Sequence, residues 1–284
     1  MKTFVFFYDR YRSATTSKAL RDSGIDHYVM LHKYEDLDKF HRGGTIHGAP
    51  IVTDNDKGLA YQRNSALDLL DMGEWAVFMS DDFLKIRSYP KEFIFSKTRK
   101  TAVAEKKHGK YINQEALKIT RQEFDISFSD LYEYFPKLIE IAEANSIHLI
   151  GFSNNDNPQA LENKFSTKGL VDGRIYLLKK STYKFDPHAQ SIDDYAWTAE
   201  NLVRHGKVLT LNWVIPYFSR YTSGGFGSMT ERQDLRKKEA NYLVNKYSPL
   251  LKFADKKNFA DKTHIKFVAS EKNIMQARIN LGIV

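Results

Sequence analysis

Two pairs of adjacent carboxylates are the residues of this sequence best suited to chemistry. Asp81 and Asp82 follow a run of apolar residues in FMSDDF, and Asp193 and Asp194 open a polar stretch in SIDDYAW. Adjacent carboxylates repel each other, and a Mg²⁺ or Mn²⁺ ion that links them to a substrate diphosphate relieves that repulsion. A carboxylate that faces a cleft can instead take a proton from a hydroxyl group. A solvated turn or a helix cap is the competing interpretation of each pair.

A predicted helix, GLAYQRNSALDLL, leads into the strand that carries the first carboxylate pair. Its Arg63 can clamp a diphosphate with two hydrogen bonds, and Asn64 can bond a ribose or the backbone. A solvated helix face is the alternative interpretation of this Arg-Asn pair.

A glycine-rich stretch, RYTSGGFGS (220–228), follows a predicted strand. Ser223, Gly224 and Gly225 allow the backbone to approach a phosphate or an acceptor closely. The stretch matches neither a Walker sequence nor a dinucleotide fingerprint, so a surface loop is the competing interpretation.

Apolar runs alternate with amphipathic stretches along the first half of the chain, which is typical of βαβ units in a largely parallel sheet. The predicted strands are 3–8, 27–32, 49–54, 75–80, 147–153, 174–180 and 207–218, and the predicted helices are 13–24, 34–44, 57–73, 129–146 and 193–206. A basic segment, 85–121, is expected to insert as a loop or flap. Ligands of open α/β sheets bind outside the carboxyl ends of the strands, where Asp81 and Asp82 are expected.

Composition limits the chemistry further. The 284 residues include no cysteine, so disulfides, thiolate metal sites and cysteine nucleophiles are excluded and a metal must take oxygen or imidazole ligands. No stretch has the 18 uncharged apolar residues of a membrane span, and we expect a soluble cytoplasmic protein.

The chain is basic, with 43 Lys and Arg against 35 Asp and Glu and a formal net charge of +8. The basic residues cluster at 96–110, 232–238 and 252–266, which is compatible with binding along a phosphate backbone. A solvated Lys-rich face is the competing interpretation. The candidate nucleic-acid contacts are Lys97, Arg99, Lys100, Lys106, Lys107 and Arg232.

The order of these features along the chain resembles that of GT-A glycosyltransferases. It runs strand, helix, strand, strand, an RN-x-A-L helix, and a hydrophobic strand that ends in aspartates. The resemblance implies a mostly parallel sheet flanked by helices and a UDP-sugar donor. The implied donor contacts at the end of the first strand are Phe7, Tyr8, Asp9 and Arg12. It also implies that Arg63 lies near the diphosphate and that Asp194, from a later acidic motif, is the base.

The implied metal site departs from the usual Asp-x-Asp pattern, because Ser80 occupies the first aspartate position. Metal ligation therefore rests on Asp82 with Asp81 assisting, and His264 or His188 is the candidate third ligand. If the enzyme retains configuration, Asp194 orients hydroxyl groups instead of acting as a base.

The FFYDRY start and the basic segments also resemble bacteriophage DNA glycosyltransferases, which add glucose or arabinose to 5-hydroxymethylcytosine. This resemblance implies double-stranded DNA with modified, in some cases already glucosylated, cytosine as the partner, with the target base extruded toward Asp194. A transferase acting on surface glycans, a non-catalytic nucleic-acid-binding protein and a nucleotidyltransferase are the alternatives.

The expected organisation is a catalytic domain at 1–230 and a basic, mainly helical C-terminal extension at 231–284. Within the catalytic domain, 1–83 is the nucleotide-sugar half, 84–146 the basic insert with its helix, and 147–230 the acceptor half.

Overall fold

An eight-stranded sheet forms the centre of the molecule, in the strand order β3-β2-β1-β4-β9-β7-β10-β8. The computed structural model describes residues 1–7, 14–43, 47–53, 58–88, 124–153, 165–218, 229–254 and 264–283. The strands are β1 Lys2–Phe6, β2 Tyr28–Leu31, β3 Ala49–Val52, β4 Trp75–Ser80, β5 Phe83–Ser88, β6 Phe124–Ile126, β7 Leu149–Phe152, β8 Phe165–Ser166, β9 Ile175–Lys179, β10 Leu209–Leu211, β11 Val214–Phe218, β12 Leu251–Phe253 and β13 Ile265–Phe267. The helices are α1 Thr15–Asp22, α2 Tyr34–Gly43, α3 Leu59–Asp68, α4 Phe128–Ala144, α5 Asp193–His205, α6 Met229–Lys246 and α7 Glu271–Asn280.

Most strands of this sheet run in one direction. Strands β1 to β4, β7 and β10 are parallel to one another, whereas β9 is antiparallel to both β4 and β7, and β8 is antiparallel to β10. The predicted α/β architecture, a mostly parallel sheet flanked by helices, is thus confirmed. Because β9 is reversed, its amino end meets the carboxyl ends of its neighbours at one edge of the sheet.

Side chains alternate between the two faces of each strand and build two cores. In β1, Phe4 and Phe6 face one core, which is closed by α3, α5, α6 and α7. Val5 faces the other core, which is closed by α1, α2 and α4. The sheet is therefore buried on both faces, as the apolar runs of its parallel strands predict.

One expectation about the second half of the chain was wrong. The predicted strand 207–218 is divided into β10 in the large sheet and β11, which pairs with β5 in a three-stranded sheet, because the chain turns between them. The residues after 230 are mainly helical, as expected, and also contain the antiparallel pair of β12 and β13. The rings of Tyr195 in α5 and Phe267 in β13 stack at 5.6 Å, and α6 and α7 contribute to the core of the large sheet.

None of the helices in the described part of the chain is both long enough and apolar enough to cross a membrane.

Candidate active site

The carboxyl end of β4 and the amino end of β9 meet beside the end of β1. Phe6 of β1 pairs with Ser80 of β4, and Met79 pairs with Ile175 of β9. The Ser80 N–H donates to the Arg174 carbonyl oxygen over 2.8 Å. The turn after β4 and the turn before β9 are therefore adjacent, so Asp82 and Arg174 lie at one edge of the sheet.

Thr16 of α1 fixes the turn that carries the first carboxylate pair. Its Oγ1 donates to the Ser80 carbonyl oxygen over 2.7 Å and accepts from the Phe83 N–H over 3.0 Å. The Thr16 N–H also donates to the Asp81 carbonyl oxygen over 3.4 Å. The N-cap residue of α1 is Ala14, which makes no side-chain cap bond.

The two aspartates of that turn differ in exposure. Asp81 is only 4% exposed, whereas Asp82 is partly exposed and its charge acts on Arg174. Asp82 is therefore the more accessible of the two expected metal ligands.

Asp172 and Arg174 form a second charged turn at the same edge. The Arg174 Nε and Nη2 groups donate to the two carboxylate oxygens of Asp172 over 2.6 and 2.7 Å. Burial lowers the pKa of Arg174, but Asp172, Asp82 and Asp194 raise it above its usual value. The charges of Asp82 and Asp194 thus both act on this guanidinium.

Arg63 of α3 and Asp193 of α5 form an ion pair below this edge. Arg63 is 4% exposed, donates to the Gly173 carbonyl oxygen over 3.2 Å, and lies over the rings of Phe6, Tyr176 and Phe185 at 5.4 to 5.6 Å. The expectation that Arg63 clamps a diphosphate is wrong for this structure, because its guanidinium is enclosed and paired. Asp193 does not cap α5 either, since the N-cap residue is Ile192 and no side-chain cap bond is made.

Asp194 opens α5 and is partly exposed. Burial, and next the negative charge of Asp172, raise its pKa to about 7. A hydrogen bond from the Tyr195 N–H and the charges of Arg236 and Arg63 act in the opposite direction. A carboxylate with a pKa near neutrality can both take and return a proton at that pH, which is what general base catalysis requires.

Asn64 of α3 is occupied by the backbone. Its side chain donates to the Phe185 carbonyl oxygen over 3.0 Å and accepts from the Phe185 N–H over 2.7 Å. Of the two expected roles for Asn64, the backbone contact is the one the structure shows.

Phe7 follows β1 and was expected to contact the donor. Its side chain is fully buried in the core closed by α1, α2 and α4, which leaves its ring no surface for a nucleotide.

The two candidate third metal ligands do not join the aspartates. Within the described ranges no three His, Asp or Glu side chains come together as a ligand set. His188 is exposed, with its ring 5.3 Å from that of Tyr242 on α6, and His264 immediately precedes β13.

Several expected site residues lie outside the described residues. These are Tyr8, Asp9 and Arg12 at the end of the first strand, Lys97, Arg99, Lys100, Lys106 and Lys107 in the basic segment, and Ser223, Gly224 and Gly225 in the glycine-rich stretch. The side chain of Arg232 is likewise outside them.

Two solved structures are similar to this chain. The crystal structure of S. aureus TarS residues 1–349 has a TM-score of 0.43 and 13% identity, covering 99% of this chain and 70% of TarS. The mannosyltransferase PcManGT from Pyrobaculum calidifontis, solved with GDP-Man and Mn²⁺, has a TM-score of 0.43 and 11% identity, covering 86% of this chain and 61% of PcManGT. No family model and no curated protein matches the sequence.

The oxygen ligands at the end of β4 fit a divalent cation. Mg²⁺ and Mn²⁺ prefer carboxylate oxygen, and Mg²⁺ sites commonly use one or two protein carboxylates together with substrate phosphates and water. Asp82, with Asp81 directly before it, supplies that number of carboxylates, and the Thr16 hydrogen bonds hold their turn in place. The absence of a larger ligand set among the described residues is compatible with a site completed by a diphosphate.

Thr16, Asp172, Gly173 and Arg174 were not predicted as site residues. Asp-Gly in VDGRIYLL is a turn signal directly before a buried strand, and it could have indicated residues at a sheet edge. No sequence pattern indicates the direction of β9, which decides the sheet edge at which Asp172 and Arg174 lie.

Proposed function

We propose that this protein transfers a sugar from a nucleotide-sugar donor to a hydroxyl group, with Asp194 as the general base. The observation that supports this most directly is a partly exposed carboxylate whose pKa is about 7, set at the same edge of the sheet as Asp82 and Arg174. The site thus combines a base with ligands for a cation.

In the proposed reaction Asp194 accepts the proton of the acceptor hydroxyl. The acceptor oxygen forms a bond to the anomeric carbon while the bond from that carbon to the diphosphate oxygen breaks, and the nucleoside diphosphate leaves with the electron pair. Configuration at the anomeric carbon is inverted. Arg174 lies close enough to act on both Asp82 and Asp194, so its charge also favours the anionic leaving group.

Asp82 and Asp81 would hold Mn²⁺ or Mg²⁺. When bound, the cation neutralises the charge that develops on the diphosphate. UDP is the proposed nucleotide.

The proposed acceptor is 5-hydroxymethylcytosine, plain or glucosylated, in double-stranded DNA. The basic stretch 232–238 supports this choice, because α6 brings Arg236 within electrostatic reach of Asp194 and exposes Lys237 and Lys238 on the same helix. A polyanion bound along α6 would pass close to the base.

A neutral glycan is the second candidate acceptor, and a cavity of about 340 Å³ next to Asp193 favours it. Its charged lining residues are paired: Lys246 is bonded to Asp186 over 2.6 Å and Arg204 to Glu200 over 2.6 Å, and Lys184 and Asp193 pair with Asp68 and Arg63 outside the lining. The aromatic lining residues are Tyr183, Phe185, Trp197, Tyr242 and Tyr247. Aromatic faces with paired polar groups suit an uncharged sugar better than a phosphate.

The deciding experiment incubates the protein with Mn²⁺, a panel of UDP-sugars, and either plain or hydroxymethylcytosine-containing DNA, then analyses the digested nucleosides by mass spectrometry. A hexose or pentose gain on hydroxymethylcytosine, lost in Asp194→Asn and Asp82→Asn but kept in Asp71→Asn, supports the proposal. Asp71 is the matched control because it is exposed and lies before the opposite end of β4. If UDP is released but no nucleoside is modified, the glycan acceptor is favoured over DNA. If no donor releases UDP, the proposed sugar transfer is overturned.

The DNA contact has its own test. Replacing Lys237 and Lys238 by Glu should weaken DNA binding about tenfold or more and reduce its salt dependence. Lys137→Glu on α4 is the control, because α4 packs on the opposite face of the sheet. Equal binding by all variants would contradict a DNA-binding role for α6.

A further inference from the structure

Helix α6 carries a buried carboxylate that bonds the chain just before α5. Glu239 is 4% exposed, and its two oxygens accept from the Gln190 N–H over 2.8 Å and from the Ser191 N–H over 2.9 Å. The Ser191 hydroxyl donates to the same carboxylate. Three donors of one loop therefore converge on a single side chain that lies 48 residues away from Ser191 along the sequence.

This loop leads directly into the beginning of α5. Ser191 is followed by Ile192, the N-cap residue, whose side chain makes no cap bond, and then by Asp193 and Asp194. A helix usually fixes its first turn by a side-chain cap. Since α5 has none, the backbone bonds to Glu239 and the Arg63–Asp193 ion pair are polar contacts that hold the chain immediately ahead of Asp194.

Arg236 lies one helical turn before Glu239, so the two residues share one face of α6. The positive charge of Arg236 acts on Asp194 and Tyr195, and its Nε is buried without a hydrogen-bond partner among the described residues. The stretch 232–238 is thus not uniformly a solvated basic face. Its inward side faces the beginning of α5.

We propose that Glu239 is a positioning residue for Asp194, so that the C-terminal helix α6 completes the active site. Only the activity measurement rests on the proposed sugar transfer. The position of Asp194 itself can be measured independently.

The proposal depends on Glu239 being a carboxylate and not an amide. All three groups that reach it are donors, and a carboxylate offers acceptors on both oxygens. In Glu239→Gln the amide oxygen can still accept, but the amide NH₂ meets another donor. The loop should therefore move although the residue keeps its size and its packing.

The test compares Glu239→Gln with Glu231→Gln, an exposed glutamate near the beginning of the same helix. NMR titration of ¹³C-labelled aspartate side chains follows the carboxyl of Asp194. The pKa of Asp194 should fall by about one unit or more in Glu239→Gln, because a displaced loop admits water and reduces the burial that raises this pKa. Glu231→Gln should titrate as the wild type does.

The activity measurement separates positioning from a general loss of structure. For transfer, kcat should fall about tenfold or more in Glu239→Gln while KM for the donor stays within twofold. A wild-type titration of Asp194 in Glu239→Gln would overturn the positioning role, whatever the rates are. If Glu239→Gln shifts the Asp194 titration but the wild-type protein transfers no sugar, the positioning role of Glu239 stands and the proposed function is wrong. If kcat and thermal stability fall, donor KM rises and the Asp194 titration is unchanged, Glu239 only stabilises the fold.

Discussion

Arg63 and Asp193 join α3 to the beginning of α5 through an ion pair whose two side chains are only 4% and 11% exposed. The pair connects the helix that follows β3 to the helix that carries the candidate base. Because Arg63 also bonds the Gly173 carbonyl oxygen, it links three segments of the site.

Removing Arg63 should destabilise the protein strongly. Arg63→Met leaves the Asp193 carboxylate buried without its partner, which typically costs about 3–5 kcal/mol. Urea unfolding at pH 7 measures this change. Arg42→Met is the control, since the Arg42–Asp38 pair is 84% and 74% exposed and should contribute less than about 1 kcal/mol. An Arg63→Met protein of normal stability that loses donor affinity would instead restore the diphosphate role for Arg63.

The pH dependence of transfer should follow Asp194. The base must be ionised, and burial together with Asp172 raises its pKa to about 7 against the effects of Arg236 and Arg63. Accordingly, kcat should fall about tenfold per pH unit below pH 7. Initial rates from pH 5 to 9 at saturating donor test this. An acidic limb near pH 4 would show that another group limits the reaction or that Asp194 is not the base.

Asp194 should also make the fold less stable at high pH. Its folded-state pKa of about 7 lies above its unfolded value of about 4, so its contribution to stability is full below pH 4 and is lost as the pH rises through 7. Since the side chain is partly exposed and solvent screens its charge, we expect Asp194→Asn to gain about 2 kcal/mol over wild type between pH 4 and pH 8. Chemical denaturation at both pH values measures the gain.

The sequence predicted which strands and helices carry the site better than it predicted the contacts between their side chains. Apolar runs located β1 and β4, and the rule that ligands bind at the carboxyl ends of parallel strands located Asp81 and Asp82. Gly206, with a φ of 77°, ends α5 in the left-handed conformation, as its place after the amphipathic stretch predicts.

The pairing of charges could not be predicted. Arg63 and Asp193 are 130 residues apart, and nothing in either local pattern indicates that each neutralises the other. Glu239 follows a basic stretch that a sequence pattern assigns to the surface, yet its side chain is buried and bonds the loop ahead of α5. The reversed direction of β9, which brings Asp172 and Arg174 to the site, is likewise set by tertiary pairing.

Gly173 gives the most local test of the site. A Cβ at this position would lie 3.2 Å from the Cβ of Asp194 and 3.8 Å from both Arg63 Nη2 and Asp193 Oδ1. Gly173→Ala should therefore displace Asp194 by a few tenths of an ångström, reduce kcat about tenfold, and lower stability by about 1–2 kcal/mol.

Gly169→Ala is the matched control, because it adds a methyl group to the same segment and meets only Ser166, whose Oγ lies at 3.0 Å and whose Cβ lies at 3.7 Å. That hydroxyl can rotate away, so Gly169→Ala should keep kcat at the wild-type value. Steady-state kinetics with a donor titration measures both variants. If Gly173→Ala keeps the wild-type kcat while its structure shows the methyl group accommodated, the close packing of Gly173 on Asp194 is not required for the reaction. An equal loss in the two variants would mean that the segment tolerates no added methyl group, and the effect could not be assigned to Asp194.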